Sequence, residues 1–189
     1  MSEPAPAGDR DYGQLERHGD RLVLRFTRRL EHPRQTVWRA LTEPEHLTAW
    51  FPTTIEGERA AGAPLHFRHR DGEAPPMDGQ MIAFDPPALM ELSWGEDVLR
   101  LELEPDGEDA CVLVLTDTFQ ELGKAARDAA GWHACLDLLA CGLGGETPPW
   151  SSAQRWGQIK DSYIERLGPE ASSVGPPADW ERIHKSGGD

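Results

Sequence analysis

The chain has 189 residues, which is long enough for one domain with a well-buried core. Asp and Glu outnumber Lys and Arg by 33 to 19, so the formal net charge at pH 7 is −14. Because this charge repels phosphate groups, we expect neither nucleic acid nor an anionic membrane surface as a partner.

The sequence carries no targeting signal of the usual kinds. Its longest apolar runs are far shorter than the roughly 20 residues that a membrane helix needs. The first residues, MSEPAPAGDRD, lack the basic and apolar regions of a signal peptide. The three cysteines are an odd number and contain no CxxC pair. We therefore interpret them as small apolar residues in a reducing compartment. We therefore expect a cytoplasmic protein.

Both ends of the chain are rich in proline, glycine, alanine and charged residues. Such segments bury too little apolar surface to order themselves, so residues 1–10 and 168–189 are predicted to be flexible tails. Around Trp180 the run WERIH could instead form a short helix that docks on the domain; both alternatives stay open. One domain is expected over residues 11–167.

The domain begins with a pattern that predicts a β-hairpin. A short first strand leads to a turn at residues 18–20, and a longer strand is predicted over 21–30. Leu22, Leu24 and Phe26 alternate along that strand, which indicates one buried face.

Two short helices are predicted next, in the segment TVWRALTEPEHLTAWFP. Pro33 suits the first turn of the first helix, and Pro44 ends that helix and opens the second. Leu47 and Trp50 lie one turn apart on the second helix. We expect Trp50 and Phe51, at its end, to lie at the rim of a cavity and to act as a gate.

The middle of the chain reads as a meander of antiparallel strands joined by short turns. These strands are predicted at residues 54–58, 64–70, 79–85, 88–94, 97–104 and 110–119. Alternation is clearest in the last two, where Leu99, Leu101 and Leu103 share one face. Short connections of this kind permit only antiparallel neighbours.

The strongest helical pattern covers residues 122–143. Its apolar positions recur at helical spacing: Ala125, Ala129, Trp132, Leu136, Leu139 and Leu143. A further helix is predicted over 152–167. This order of elements predicts an α+β fold of the helix-grip type, in which a curved antiparallel sheet of about seven strands grips the long helix. Any space left between sheet and helix would be a pocket.

Four segments carry a family resemblance: RFTRRLEHPRQTVWRALTEPEHLTAWF, LSWGEDVLRLELEPDG, VLVLTDTF and AGWHACLDLLACGL. They resemble the START-like (SRPBCC, helix-grip) superfamily, within it the bacterial branch similar to the C-terminal domain of the activator of the heat-shock-protein-90 ATPase. The resemblance covers roughly residues 12–167. It implies a hydrophobic ligand cavity and no shared catalytic set, because this superfamily includes lipid carriers, hormone receptors, aromatic polyketide cyclases and co-chaperones.

The usual catalytic and metal-binding patterns are absent from the sequence. His66 and His69 lie three apart on a predicted strand and should point to opposite faces, so no metal site is expected. Ser93 stands in LSWG and not in a GxSxG elbow. His133 is expected at the surface beside the apolar stripe of its helix. We predict no cofactor and no catalytic residue.

Among the carboxylates, Asp117 is the one expected to point inward, because it shares strand parity with Leu115 and Phe119. Glu91 and Glu102 are expected on the solvated face. If the pocket has a polar anchor, Asp117 and Arg100 are the first candidates, since a buried ionisable group can have a shifted pKa.

Aromatic residues from separate elements would supply the walls of the pocket. Each of them could equally be an ordinary core residue, but as a group they suit a flat or lipidic ligand. The predicted ligand-binding residues are Trp50, Phe51, Phe67, Phe84, Trp94, Leu101, Asp117, Trp132 and Leu136.

Three functions remain open from the sequence. Non-catalytic binding of a small hydrophobic or aromatic molecule is favoured. A cyclase or dehydratase using the same cavity is the first alternative. A co-chaperone-like interaction module is the second, and it is less favoured because only about twenty residues precede the first long strand, where the eukaryotic activator has a separate domain. A homodimer is compatible with all three.

Overall fold

The computed structural model describes residues 11–69 and 74–176. Eight strands form one antiparallel sheet in the order β1-β2-β8-β7-β6-β5-β4-β3. The strands are β1 (Gln14–His18), β2 (Arg21–Leu30), β3 (Thr53–Glu56), β4 (Pro64–His69), β5 (Met77–Asp85), β6 (Leu89–Trp94), β7 (Asp97–Pro105) and β8 (Cys111–Phe119). The fold was predicted with about seven strands, and the eight observed correspond to the hairpin and the six further segments predicted one by one.

Four α-helices accompany the sheet: α1 (Arg34–Thr42), α2 (Pro44–Leu47), α3 (Ala125–Leu143) and α4 (Ser152–Leu167). The long helix α3 packs across the curved sheet, and the predicted α+β helix-grip fold is confirmed. None of the helices among the described residues is both long and apolar enough to span a membrane.

The centre of the sheet follows from the alternation of large apolar side chains. Phe26 of β2 lies opposite Leu115 of β8, which in turn lies opposite Leu101 of β7. All three side chains are buried, so they form one apolar layer under the helices. The same pairing puts Arg100 and Thr116 opposite each other one position along.

The two short helices meet at Pro44, which is the first residue of α2. Their contact is fixed by Trp50, whose indole Nε1–H donates a 2.9 Å hydrogen bond to the carbonyl oxygen of Ala40. Trp50 is 1% exposed and Phe51 is fully buried. Both side chains belong to the core and lie outside the large cleft described below, in contrast to the predicted cavity rim.

Helix α3 packs against α4 as well as against the sheet, so it is buried by two partners. The hydroxyl of Tyr163, on α4, lies 2.9 Å from Nδ1 of His133 and accepts a 2.8 Å hydrogen bond from the backbone N–H of Gly13. His133 is fully buried, so the expectation of a surface position is wrong. Its helix has a second partner that the apolar stripe does not reveal.

Helix α4 starts at a well-defined cap. Ser151 accepts a hydrogen bond from the backbone N–H of Gln154, and the Gln154 side chain accepts one from the backbone N–H of Ser151. This capping box satisfies two amide groups at the helix start. It fixes the position of the first turn of α4 beside α3.

The ordered domain continues beyond the predicted boundary at residue 167. A 3₁₀ turn at Pro169–Ser172 buries Ala171, and the backbone N–H of Val174 donates a 3.0 Å hydrogen bond to the carbonyl of Gly123. This segment therefore packs at the start of α3. The predicted N-terminal tail and the alternative helix around Trp180 lie outside the described residues.

Candidate functional site

A cleft of about 870 Å³ runs along one side of α3. Its walls come from the segment after α2, the β6–β7 turn, β8, α3 and the first turn of α4. The predicted pocket lay between the sheet and the long helix. The cleft does draw on both elements, with Asp117 from β8 and Trp132 from α3, but it also extends to α4, which the prediction did not include.

Three tryptophans line the cleft: Trp94 from the end of β6, Trp132 from α3 and Trp156 from α4. The rings of Trp94 and Trp132 meet edge to face with their centroids 5.8 Å apart. The indole Nε1–H of Trp156 donates a 3.1 Å hydrogen bond to the carbonyl of Arg127, which fixes this ring against α3. Three indoles from three elements give the cleft broad, oriented apolar surfaces.

Asp117 lies on β8 at the floor of the cleft and is 1% exposed. Its Oδ2 accepts a 2.9 Å hydrogen bond from the indole N–H of Trp132. Its Oδ1 is buried and accepts no hydrogen bond from residues 11–69 or 74–176. Burial and the nearby charge of Asp97 raise the pKa of Asp117 to about 7. The predicted inward orientation of this side chain agrees with the structure.

Two further carboxylates lie close to Asp117. Asp97 begins β7 and Asp128 lies in the first turn of α3, and one oxygen from each of the three carboxylates lies within 4.8 Å of the others. The ammonium group of Lys124 hydrogen-bonds to Asp97 and lies 3.5 Å from Asp128. The cluster already contains a cation from the protein itself, which argues against a resident metal ion there.

Arg127 completes the charged side of the cleft. Its Nε–H donates a 2.7 Å hydrogen bond to Asp128, and its side chain borders the cleft next to Lys124. The arrangement can hold a polar group of a ligand at its floor while the indoles contact an apolar body. Chemically, Asp117 could accept a hydrogen bond or exchange a proton.

Of the nine predicted ligand-binding residues, Trp94, Asp117 and Trp132 border this cleft. Trp50 borders a smaller hollow of about 240 Å³ between α1 and α3, next to Leu139. The remaining five border neither hollow: Phe51, Phe67, Phe84, Leu101 and Leu136. Phe51, Phe67, Leu101 and Leu136 are buried in the core, and Phe84 packs against it.

Arg100 does not point inward, in contrast to Asp117. Its guanidinium donates hydrogen bonds of 2.8 Å to Glu91 and 2.9 Å to Glu102 on the outer face of the sheet. These hydrogen bonds raise the pKa of Arg100. The suggestion of Arg100 as a pocket anchor is wrong, because its strand parity is opposite to that of Leu99 and Leu101.

Sequence reasoning missed several residues of the cleft, namely Asp97, Lys124, Arg127, Asp128 and Trp156. Part of the signal is local, because Lys124 and Asp128 are four residues apart at the start of a helix and can pair. The approach of Asp97 is not local, since 27 positions separate it from Lys124.

Several solved protein structures are similar to the fold of this chain. A conserved protein from Enterococcus faecalis, EF2215, is 21% identical, with a TM-score of 0.69 over 82% of this chain and 90% of that chain. CalU16 from Micromonospora echinospora is 22% identical, with a TM-score of 0.63 over 78% and 89%. The protein encoded by BPP1335 from Bordetella parapertussis is 25% identical, with a TM-score of 0.63 over 89% and 96%.

No curated protein matches the sequence. A family model does, however, and it covers residues 31–143, from the end of β2 to the last residue of α3. This span contains the sheet from β3 to β8 and the long helix, so the match and the fold agree. The resemblance seen in the sequence is confirmed, and the chain belongs to the family described as Activator of Hsp90 ATPase homolog 1-like protein.

Proposed function

We propose that the protein binds a small molecule with a flat apolar body in the cleft beside α3, without chemically changing it. One observation supports this most directly: Trp94, Trp132 and Trp156 reach a single cleft from three elements. Indole faces offer large apolar contact areas to a planar ligand. A volume of about 870 Å³ lies within the usual range for small-molecule sites.

Gly131 gives a direct way to test the cleft. It lies on α3, borders the cleft, and a Cβ placed on it would meet no atom within 4 Å. Gly131→Leu would therefore place its Cβ without a clash with the described residues and extend a side chain toward the cleft. Because glycine is a poor helix former, the substitution should not lower the stability of α3.

The experiment measures binding of a planar neutral probe, 2-naphthalenemethanol, through the change in tryptophan fluorescence. We expect Gly131→Leu to weaken binding at least about tenfold, equivalent to about 1.4 kcal/mol. Gly157→Leu is the matched control, because Gly157 is also helical with open space around its Cβ position but does not border the cleft. Equal binding by the two variants would refute the proposed site.

An acid–base enzyme of the cyclase or dehydratase type is the second candidate. The observation that favours it is Asp117, whose raised pKa of about 7 would allow it to give or take a proton near neutral pH. Mass spectrometry of compounds recovered after incubation separates the two functions. A new mass, or a product of unchanged mass with a new chromatographic retention time as ring closure would give, would support catalysis; recovery of the unaltered compound would support binding alone.

A further inference from the structure

Asp117 has one satisfied and one unsatisfied oxygen. Trp132 donates to Oδ2, whereas Oδ1 receives no hydrogen bond within the described parts of the chain. Leaving a buried acceptor unpaired is costly, so such groups usually meet a ligand or a bound solvent molecule when the protein functions. A ligand that fits the floor of the cleft must therefore bring a hydrogen-bond donor.

The charges around Asp117 favour a cationic donor. The cleft is bordered by four carboxylates, those of Glu96, Asp97, Asp117 and Asp128, and by the cations Lys124 and Arg127. Lys124 hydrogen-bonds to Asp97, and Arg127 hydrogen-bonds to Asp128. Asp117 has no such direct cationic partner among the described residues, so the cleft retains an excess of negative charge at its floor.

The tryptophans support the same choice. Trp132 contacts Asp117 through its N–H, and its ring meets that of Trp94 at 5.8 Å beside the carboxylate. The face of an indole attracts a cation, and this attraction is stronger where water is excluded. Part of the hydration lost by a cation entering the cleft would thus be replaced by aromatic contacts.

The chemistry of the nearest cation in the protein also distinguishes an organic ammonium group from a metal ion. Lys124 shows that the carboxylate cluster accommodates an ammonium group, which contacts Asp97 and lies 3.5 Å from Asp128. A divalent metal held by all three carboxylates would bring its own charge next to this ammonium group. An amine ligand that pairs with Asp117, which borders the cleft, would instead leave the Lys124 contacts in place.

We propose that the cleft selects organic amines, whose protonated nitrogen pairs with Asp117 while their flat apolar body packs between the tryptophans. This inference rests on the proposed binding function and names the ligand class. It assigns a discriminating role to Asp117: the aromatic walls accept many planar molecules, and the carboxylate separates amines from alcohols and acids of the same shape.

The test uses three probes with one ring system: 2-naphthylmethylamine, 2-naphthalenemethanol and 2-naphthoate. Their affinities are measured at pH 8, where Asp117 with its pKa of about 7 is mostly ionised. We expect the amine to bind at least about tenfold more tightly than the alcohol, and naphthoate to bind most weakly. Equal affinity for the amine and the alcohol would overturn the inference.

The variant Asp117→Asn tests whether Asp117 causes the preference for the amine over the alcohol. Asparagine keeps an oxygen that can accept from Trp132 but removes the charge. The affinity of the variant for the amine should fall to its affinity for the alcohol, and the affinity for the alcohol should change by less than about twofold. A variant that retained the preference for the amine would overturn the inference. If no probe binds the unaltered protein, the proposed function itself fails; if only the preference is missing, the cleft stands and the amine inference alone fails.

A measurement on the unaltered protein covers the case in which Asp117→Asn does not fold. Between pH 5.5 and pH 8 Asp117 should lose its proton, while a primary alkylamine stays protonated. Affinity for the amine should therefore rise across this range, and affinity for the alcohol should stay level. A level curve for both probes would contradict the pairing.

Discussion

At the scale of single residues, Asp117 affects both the stability of the protein and the binding properties of its cleft. Burial is the largest cause of its raised pKa, the charge of Asp97 adds to it, and the hydrogen bond from Trp132 works against it. A carboxyl group in this environment is least costly when it is protonated. The folded protein thus carries an acid that is destabilising at high pH, and a partner for that acid would relieve the cost.

The sign of the resulting pH dependence follows from the two pKa values of Asp117. In the folded state the pKa is about 7, and its ordinary value is 3.8. Between these values the folded protein holds a proton that the unfolded chain has released, so the free energy of unfolding falls as pH rises. Asp117→Asn removes this loss. Between pH 5 and pH 8 we expect the stability of the variant relative to the unaltered protein to increase, by at most about 3 kcal/mol.

Urea denaturation at both pH values measures this difference. Glu91→Gln is the control, because it removes one negative charge from the outer face of the sheet, where Glu91 pairs with Arg100. Its stability relative to the unaltered protein should change little between pH 5 and pH 8. Parallel pH curves for Asp117→Asn and the unaltered protein would show that Asp117 does not titrate as described.

At the scale of elements, a buried polar cluster joins α3, α4 and the start of the chain. Tyr163 connects the backbone of Gly13 to the imidazole of His133. Burial, followed by the charge of Arg28, lowers the pKa of His133 to about 3. Since the ordinary value is 6.5, the unfolded chain binds this proton first, and the free energy of unfolding falls as pH is lowered from 6.5 toward 3.

We expect Tyr163→Phe to destabilise the protein by about 2–4 kcal/mol at pH 7.5, because it leaves the Gly13 N–H and the His133 nitrogen without their partner. Thermal and urea denaturation measure the loss. Tyr12→Phe is a matched control: the Tyr12 ring lies in the same aromatic cluster, and its hydroxyl makes no hydrogen bond with the described residues. Similar losses for the two variants would show that the Tyr163 hydroxyl is not the stabilising contact.

These elements also show what the sequence could and could not predict. Alternation in β7 and β8 predicted the sheet and the inward side of Asp117, because a strand has only two faces. A helix has no such restriction, so the stripe through Trp132 did not reveal that α4 also covers His133. The pairing of Asp97 with Lys124 depends on how the β6–β7 turn meets α3, and no local pattern encodes that approach.

At the scale of the whole molecule, there are 33 acidic and 19 basic residues, which gives the chain a net charge of −14 at pH 7. Many of the surface carboxylates have cationic partners, for example Glu43 with Arg39 and Asp106 with Arg29. Such exposed pairs contribute little each, and the excess of acid is not compensated by them. Mutual repulsion of these charges should lower the stability of the compact state. The same field should favour the approach of a cationic ligand to the cleft.

This excess predicts how salt affects stability. The screening length is about 30 Å at 0.01 M salt and about 8 Å at 0.15 M, so the higher concentration suppresses most of the long-range repulsion. At pH 7 we expect the melting temperature to rise by roughly 2–4 °C between these concentrations, equivalent to about 1 kcal/mol at this chain length. Near pH 5, close to the isoelectric point of about 4.9, the rise should disappear because the net charge is near zero. Potassium chloride and sodium chloride should give the same result, since screening depends on ionic strength and not on ion identity. A melting temperature that fell with salt at pH 7 would mean that the surface ion pairs outweigh the repulsion, and the chain would then be stabilised by its charges despite their imbalance.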